Sequence, residues 1–405
     1  MRILAVQESD WIDRNPILHH RMLESLALAG DSVLVLDYDL LWHRKGRRPL
    51  IQGRREINDS TKFFAGSGVK VVRPAMIRIP GLARPTWLLM TTIELIRAFR
   101  RFGPEVVVAY GLSNALVARV LAALFRVPFV FHIFDALHTL AEPAILAPVA
   151  RLVEGAVLRS SRVVIVVHRG MQDYLQQMRV RPDRIRFIMN GFEVREPDEG
   201  RVARLRRELG IADDEVMILF IGWLYSHSGL LEMARVLVNT NRYAGYRLVI
   251  AGDGDVLAEL RAMAHRSPGG SRLVVLGKRP VGEMPDLIAA ADVGLFAASP
   301  SLTMRNVVPA KVDEYLEVGR PIVATRLPGM LAELGALQSM IWVDGPQDAL
   351  GTLDALLRGQ TDRRAFLRHL GTFARDYGKQ RETWAQVTAR FRAALTEGAA
   401  HSVTE

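Results

Sequence analysis

Short aliphatic and β-branched runs alternate with helically spaced stretches along this 405-residue chain, and they fall into two blocks. The first block holds RILAVQ, SVLVLDYD, VKVVRP, EVVVAYG, PFVFHIF and RVVIVVH, separated by helical segments such as Leu18 to Ala29, Arg84 to Phe102 and Asn114 to Phe125. The second, over residues 217–343, holds MILFIGW, RLVIAGDG, RLVVLG, VGLFAA, PIVATR and MIWVD. Apolar runs joined by helical crossovers form parallel strands covered on both faces, so the pattern predicts two doubly wound α/β domains. Two such domains in tandem offer a ligand one obvious place, the cleft beyond the carboxyl ends of their strands. The linker is expected near Pro197 to Asp214.

With 49% hydrophobic residues, the chain is long enough for two cores. It has no cysteine, which excludes disulfides and thiolate metal sites and suits a reducing cytosol. The opening MRILAVQESD lacks the features of a secretory signal. The longest apolar stretch, Val106 to Phe131, is interrupted by Asn114, Arg119 and Arg126 and reads as strand, helix, strand rather than as a membrane span.

The net charge of +10 is unevenly shared: residues 1–200 carry 28 Lys/Arg against 20 Asp/Glu, and the remainder 25 against 23. Arg44, Lys45, Arg47, Arg48, Arg54 and Arg55 form a run without an intervening acid, and Arg73 to Arg101 holds six arginines against one glutamate. A surface of this kind seeks polyanions. No nucleic-acid module is recognisable. The Arg84 to Phe102 helix instead combines Trp87, Leu88, Leu95, Phe99 and Phe102 with Arg97, Arg100 and Arg101, a pattern that fits an anionic membrane surface or, alternatively, a helix packed on a core.

The densest chemical signal is NVVPAKVDEYLEVGRPIVAT, Asn306 to Thr325. Pro309 suits a first helical turn and Asn306 a cap. The amides of that turn, with the helix dipole, favour an anion such as a pyrophosphate. Lys311 adds a full charge, and Glu314, one turn on, can accept both hydroxyls of a ribose. Gly222 and Gly252 end the first two strands of the second block, where backbone can approach a ligand, although a lone Gly-x-Gly is more often a tight turn. No dinucleotide fingerprint follows the first strand, which weakens a dehydrogenase reading. Asp37-Tyr38-Asp39 and Asp253-Gly254-Asp255 are read as turn formers, and no metal is expected. His132 ends a strand, followed by Asp135 and His138, where functional residues collect.

In order and spacing, FIMNGFE, MILFIGWLYSHSG, LVIAGDGDVLAEL, LVVLGKRPVGEMPDLIAAADVGLFAASPS and the Asn306 segment resemble the C-terminal half of the retaining glycosyltransferases of the two-domain GT-B fold, family 4. The resemblance implies Rossmann-like domains over 1–195 and 196–371, with 372–405 forming a helix that crosses back to the first domain and a tail. It places His132 near the reacting carbon, with Asp135 three residues on as a further catalytic candidate, and Asn306 at the donor sugar. Glu314 would hold the ribose and the amides around Val307 and Val308 the diphosphate, with Lys311, Arg305 and Arg279 as the candidate cations. Three positions depart from the family. Asn306 stands where a glutamate is usual, and Trp223 and Ser228 where an arginine and a lysine hold the diphosphate.

The expected activity is therefore a metal-independent, retaining hexosyltransferase, moving sugar from a UDP- or GDP-sugar to a hydroxyl of a lipid-linked or polysaccharide acceptor. No cofactor beyond the nucleotide-sugar co-substrate is expected, and the location is cytoplasmic at the inner membrane face. The three departures also motivate a rival, a non-catalytic GT-B subunit that binds acceptor, lipid or partner protein. A phosphorylase would need a pyridoxal lysine, and none of the six lysines is well placed.

Overall fold

The computed structural model describes residues 1–12, 16–39, 49–141, 144–301, 304–305 and 307–400. The chain divides into two compact units, Met1–Asn190 with Trp384–Glu405, and Gly191–Thr383. Two Rossmann-like parallel sheets result, as the alternating pattern predicts.

The first unit contains β1 (Arg2–Val6), β2 (Ser32–Leu36), β3 (Ile51–Gln52), β4 (Arg55–Ile57), β5 (Lys70–Arg73), β6 (Met76–Ile77), β7 (Val106–Ala109), β8 (Phe129–Ile133), β9 (Val163–Val166) and β10 (Ile185–Phe187). Its main sheet runs β10-β9-β8-β7-β1-β2-β5-β4, and β3 pairs with β6 apart from it. All pairings in the main sheet are parallel except that of the edge strand β4. The six predicted runs became β1, β2, β5, β7, β8 and β9. The extra strands are too short for a period-two signal.

Alternate residues of each strand face opposite layers. Leu4, Val107, Phe131 and Val164 pack under helices Ala83–Arg101, Leu112–Leu124 and Ala147–Ser160. Ile3, Val108, Val130 and Ile165 pack under Leu18–Leu28 and the returning helix Trp384–Ala400, through Met22, Phe391 and Leu395.

Three expectations change here. The tail is two helices, Arg363–Lys379 and Trp384–Ala400, so the first unit regains the chain at Trp384 and not at 372. The expected linker contains a helix, Glu199–Glu208, capped by Asp198, which accepts the Arg201 amide at 3.1 Å. Buried Arg206 ties that helix to Asp292 at 2.9 Å, making it part of the second unit. Asp37 and Asp39 are not surface turn formers. Both are buried acceptors, Asp37 of the Arg73 guanidinium at 2.7 Å and Asp39 of Arg78 at 2.8 Å.

The same pairs remove Arg73 and Arg78 from the basic surface. Arg54 and Arg55 are exposed, whereas the rest of their run, 44–48, lies outside the described residues. Helix Ala83–Arg101 turns Trp87, Leu95 and Phe99 into the core, so its apolar stripe is a packing face and not an interfacial one. Among the described residues no helix is long and apolar enough to cross a membrane.

The second unit holds β11 (Val216–Ile221), β12 (Tyr246–Ala251), β13 (Leu273–Gly277), β14 (Val293–Phe296), β15 (Ile322–Thr325) and β16 (Met340–Val343), in the order β13-β12-β11-β14-β15-β16. All five pairings are parallel. The chain reverses its direction of travel across the sheet between β11 and β14, the position where ligands bind in open α/β sheets.

Candidate donor site in the second unit

Helix Ala310–Glu317 follows β14 and is held over that switch point by Tyr315. The Tyr315 hydroxyl donates to the Leu219 carbonyl at 3.0 Å and accepts the Ile221 amide at 3.1 Å, locking the helix to the end of β11. Gly294 makes room for the ring: a Cβ there would stand 2.4 Å from Tyr315.

Lys311 lies four residues before Tyr315, on the same helical face. Its Nζ sits 3.7 Å from the centre of the Phe220 ring, a cation–π contact, and 3.3 Å from where a Cβ on Gly222 would be. The ammonium is thus at the carboxyl end of the central strand. Glu314 follows one turn later. Lys311 and Glu314 are half-buried, and neither forms an ion pair among the described residues. Burial lowers Lys311 to about 7, with Glu314 opposing, and raises Glu314 to about 7, with Lys311 opposing. Both charges are therefore held at a cost that an anionic, hydroxyl-bearing ligand would relieve.

The helix start differs from the sequence expectation. The cap position is Pro309, with φ −73° and ψ 142°, and among the described residues no side chain caps the first amides. Asn306 lies outside the described residues. Val307 donates its amide to the Met304 carbonyl at 3.2 Å, so that amide is already engaged, and Val307 and Val308 pack against the core. The amides of Ala310 and Lys311 open the helix and have no intrahelical acceptor. They, rather than Val307, are the donors on offer.

Gly222 has φ +110° and donates to the Ala251 carbonyl at 3.0 Å, while Gly252 donates to Gly277 at 2.9 Å. A Cβ on Gly252 would stand 1.8 Å from the Gly222 carbonyl oxygen. These glycines let two loops touch each other, so Gly252 supports the site from behind instead of facing a ligand. Arg279 is exposed and paired with Glu283 at 2.6 Å. Arg305 is exposed, and its carbonyl accepts the Gly329 amide at 2.9 Å.

Sequence reasoning missed the platform under Lys311, which is Phe220, and the strap behind the helix. Glu193 donates its amide to the Glu317 carboxylate at 3.1 Å, and Arg195 donates its amide to the Glu317 carbonyl at 3.0 Å. Burial raises Glu317 to about 7. No spacing rule announces a contact across more than a hundred residues. The loop after β11 is aromatic where the resemblance implies cations: Tyr225 stacks on His227 with 4.9 Å between ring centres, and Ser228 donates to the Tyr225 carbonyl at 2.6 Å.

In the first unit, His132 does end β8, but its imidazole is wholly buried against Phe134, Tyr110 and Phe391. Among the described residues neither ring nitrogen has a hydrogen-bond partner, and burial lowers its pKa to about 3, so it is a neutral core group in this structure. A residue that meets the reacting carbon must be open to substrate, and His132 is not. Asp135 is half-buried in the segment after β8. His138 is taken by Glu154 at 2.9 Å.

With this geometry in hand, similarity to known proteins becomes specific. Residues 20–191 match the family described as glycosyl transferase 4-like domain, and residues 162–359 match glycosyl transferases group 1. The chain belongs to the family 4-like GT-B glycosyltransferases. An uncharacterized glycosyltransferase of Methanocaldococcus jannaschii is 27% identical to this glycosyltransferase over 186 residues, 44% of this chain and 46% of that relative, under half of its length. The D-inositol 3-phosphate glycosyltransferase of Acidothermus cellulolyticus is 25% identical over 337 residues, 75% of this chain and 72% of the relative. Among solved structures, Anabaena Alr3699/HepE in complex with UDP superposes with a TM-score of 0.71 at 16% identity, covering 98% of this chain and 100% of that one, which is a likeness of fold.

Proposed function

We propose that this glycosyltransferase moves a hexose from a UDP- or GDP-sugar to a hydroxyl of a lipid-linked or polysaccharide acceptor, with retention and without a metal ion. The observation that carries the reading is Lys311 and Glu314 on helix Ala310–Glu317, at the switch point of the second sheet. In this reading the Ala310 and Lys311 amides and the Lys311 ammonium take the diphosphate, and Glu314 accepts from the ribose hydroxyls. Charge builds on the diphosphate as the glycosidic bond breaks, and the Lys311 ammonium, held over Phe220 at the end of β11, is placed to stabilise it. Arg305 is the exposed cation nearest in sequence that can supplement it. The resemblance assigns Asn306 to the donor sugar, and in this reading the leaving phosphate takes the acceptor proton. The fold relative in complex with UDP supports the uridine branch.

The rival is a non-catalytic subunit, favoured by the aromatic loop of Trp223, Tyr225 and His227 where cations are expected. Thermal shift with UDP, GDP, ADP and their sugar conjugates separates the two. The transferase gives selective stabilisation by one nucleotide, roughly 2.7 kcal/mol at about 100 times the dissociation constant. Glu314→Ala abolishes that shift. Absence of any nucleotide response from the wild type sinks the donor assignment.

A further inference from the structure

Helices Leu112–Leu124 and Ala147–Ser160 lie side by side in the outer layer of the first unit. An outer layer is expected to show water a polar face. This one does the opposite. Leu116, Val120 and Leu124, spaced along one helical face, are 38%, 53% and 73% exposed, and Val149 and Leu152 on the neighbouring helix, with Ile145 in the turn before it, are 59%, 72% and 83% exposed. A groove of about 480 Å³ runs between the helices, lined by Leu116, Val120 and Leu124 on one side and by Ala156 and Val157 on the other. Scattered exposed leucines are ordinary, whereas a contiguous set across two helices marks a docking surface.

The charge around the patch identifies what docks. Arg126, Arg151 and Arg159 are exposed, and Arg119 lines the groove. The two helices carry a single acid, Glu154, which is buried and accepts the amides of Leu137 and His138. A second copy of this chain meeting the patch about a two-fold axis would set arginine against arginine with no exposed carboxylate on either helix to pair them. An anionic bilayer supplies negative charge at the rim and hydrocarbon at the centre. We infer that the face formed by helices Leu112–Leu124 and Ala147–Ser160 docks this protein on an anionic lipid bilayer. It replaces helix Ala83–Arg101, whose apolar side is in the core. It deepens the proposal that the acceptor is lipid-linked, but its test needs no sugar transfer.

The test is cosedimentation of the full chain with phosphatidylcholine vesicles with and without phosphatidylglycerol, for wild type, L124E/L152E and R151E. Both altered positions of the double variant are exposed, so its melting temperature should equal that of the wild type, and nucleotide response serves as a second check of folding. The expected result is salt-sensitive binding of wild type to the phosphatidylglycerol vesicles alone, weakened in R151E and lost in L124E/L152E. Binding by the double variant equal to wild type overturns the inference, as does no binding by wild type. A dimer in light scattering that L124E/L152E dissociates, without vesicle binding, assigns the face to a second copy and also overturns it. A missing nucleotide response with vesicle binding intact would defeat the donor reading and leave this one standing.

Discussion

The two units bring titratable residues to the carboxyl ends of similar sheets and treat them in opposite ways. In the first, His132 at the end of β8 turns into a wholly buried aromatic cluster and is held neutral, with its pKa lowered to about 3. In the second, Lys311 and Glu314 stand half-buried beside the end of β11, each shifted to about 7 and without an ion-pair partner among the described residues. Burial perturbs all three groups. Only the second set keeps an opening through which a ligand can supply what burial removed. A perturbed pKa at a strand end is thus a functional signal when the group is still reachable, and a packing signal when it is not.

The largest expected effect tests the reachable side. Lys311→Met, which keeps the length of the side chain and its place on Phe220, should weaken nucleotide diphosphate binding by about 1.5–3 kcal/mol, the range for a hydrogen bond to a charged group. Isothermal titration calorimetry reads this directly. An unchanged affinity would erase the contrast between the two units.

The sealed side is probed by His132→Phe and His132→Ala. Phenylalanine fits an aromatic site and should leave activity within about twofold and stability within about 1 kcal/mol. Alanine should cost about 1–3 kcal/mol in urea denaturation through the cavity it leaves. The wild type also loses stability as pH falls from 6.5 toward 3, because the unfolded chain takes up a proton that the folded one resists, and the phenylalanine variant lacks that loss. A large drop in turnover for His132→Phe with normal stability would mean that the imidazole does reach the substrate.

The smallest effect is on the apoprotein. Glu314 has its ordinary value of 4.5 raised to about 7 in the fold, so its contribution is complete below pH 4.5 and is lost as pH rises through 7. Glu314→Gln should therefore be more stable than wild type by about 1 kcal/mol above pH 7 and no more stable at pH 4.5, a modest figure because the carboxylate keeps some solvent. Thermal melts across pH test it. Greater stability with lost nucleotide binding is the signature of a site that sacrifices stability for function.

The chain order of apolar runs and helical stretches was enough to place both parallel sheets and the anion-favouring helix, because period and turn chemistry are local properties. The spacing of Lys311, Glu314 and Tyr315 put them on neighbouring faces of one helix for the same reason. Local spacing could not say that Tyr315 would grip Leu219 and Ile221, that Phe220 would lie under Lys311, or that Gly252 would serve the loop at Gly222. Nor could it distinguish the buried stripe of helix Ala83–Arg101 from the exposed one of helix Leu112–Leu124. Both are amphipathic in sequence, and which side meets water depends on neighbours far along the chain. Local residue patterns set the elements, their order and the chemistry available at the start of helix Ala310–Glu317. Tertiary packing alone decided which of those groups stay within reach of a ligand, since burial is set by long-range contacts that no local period encodes.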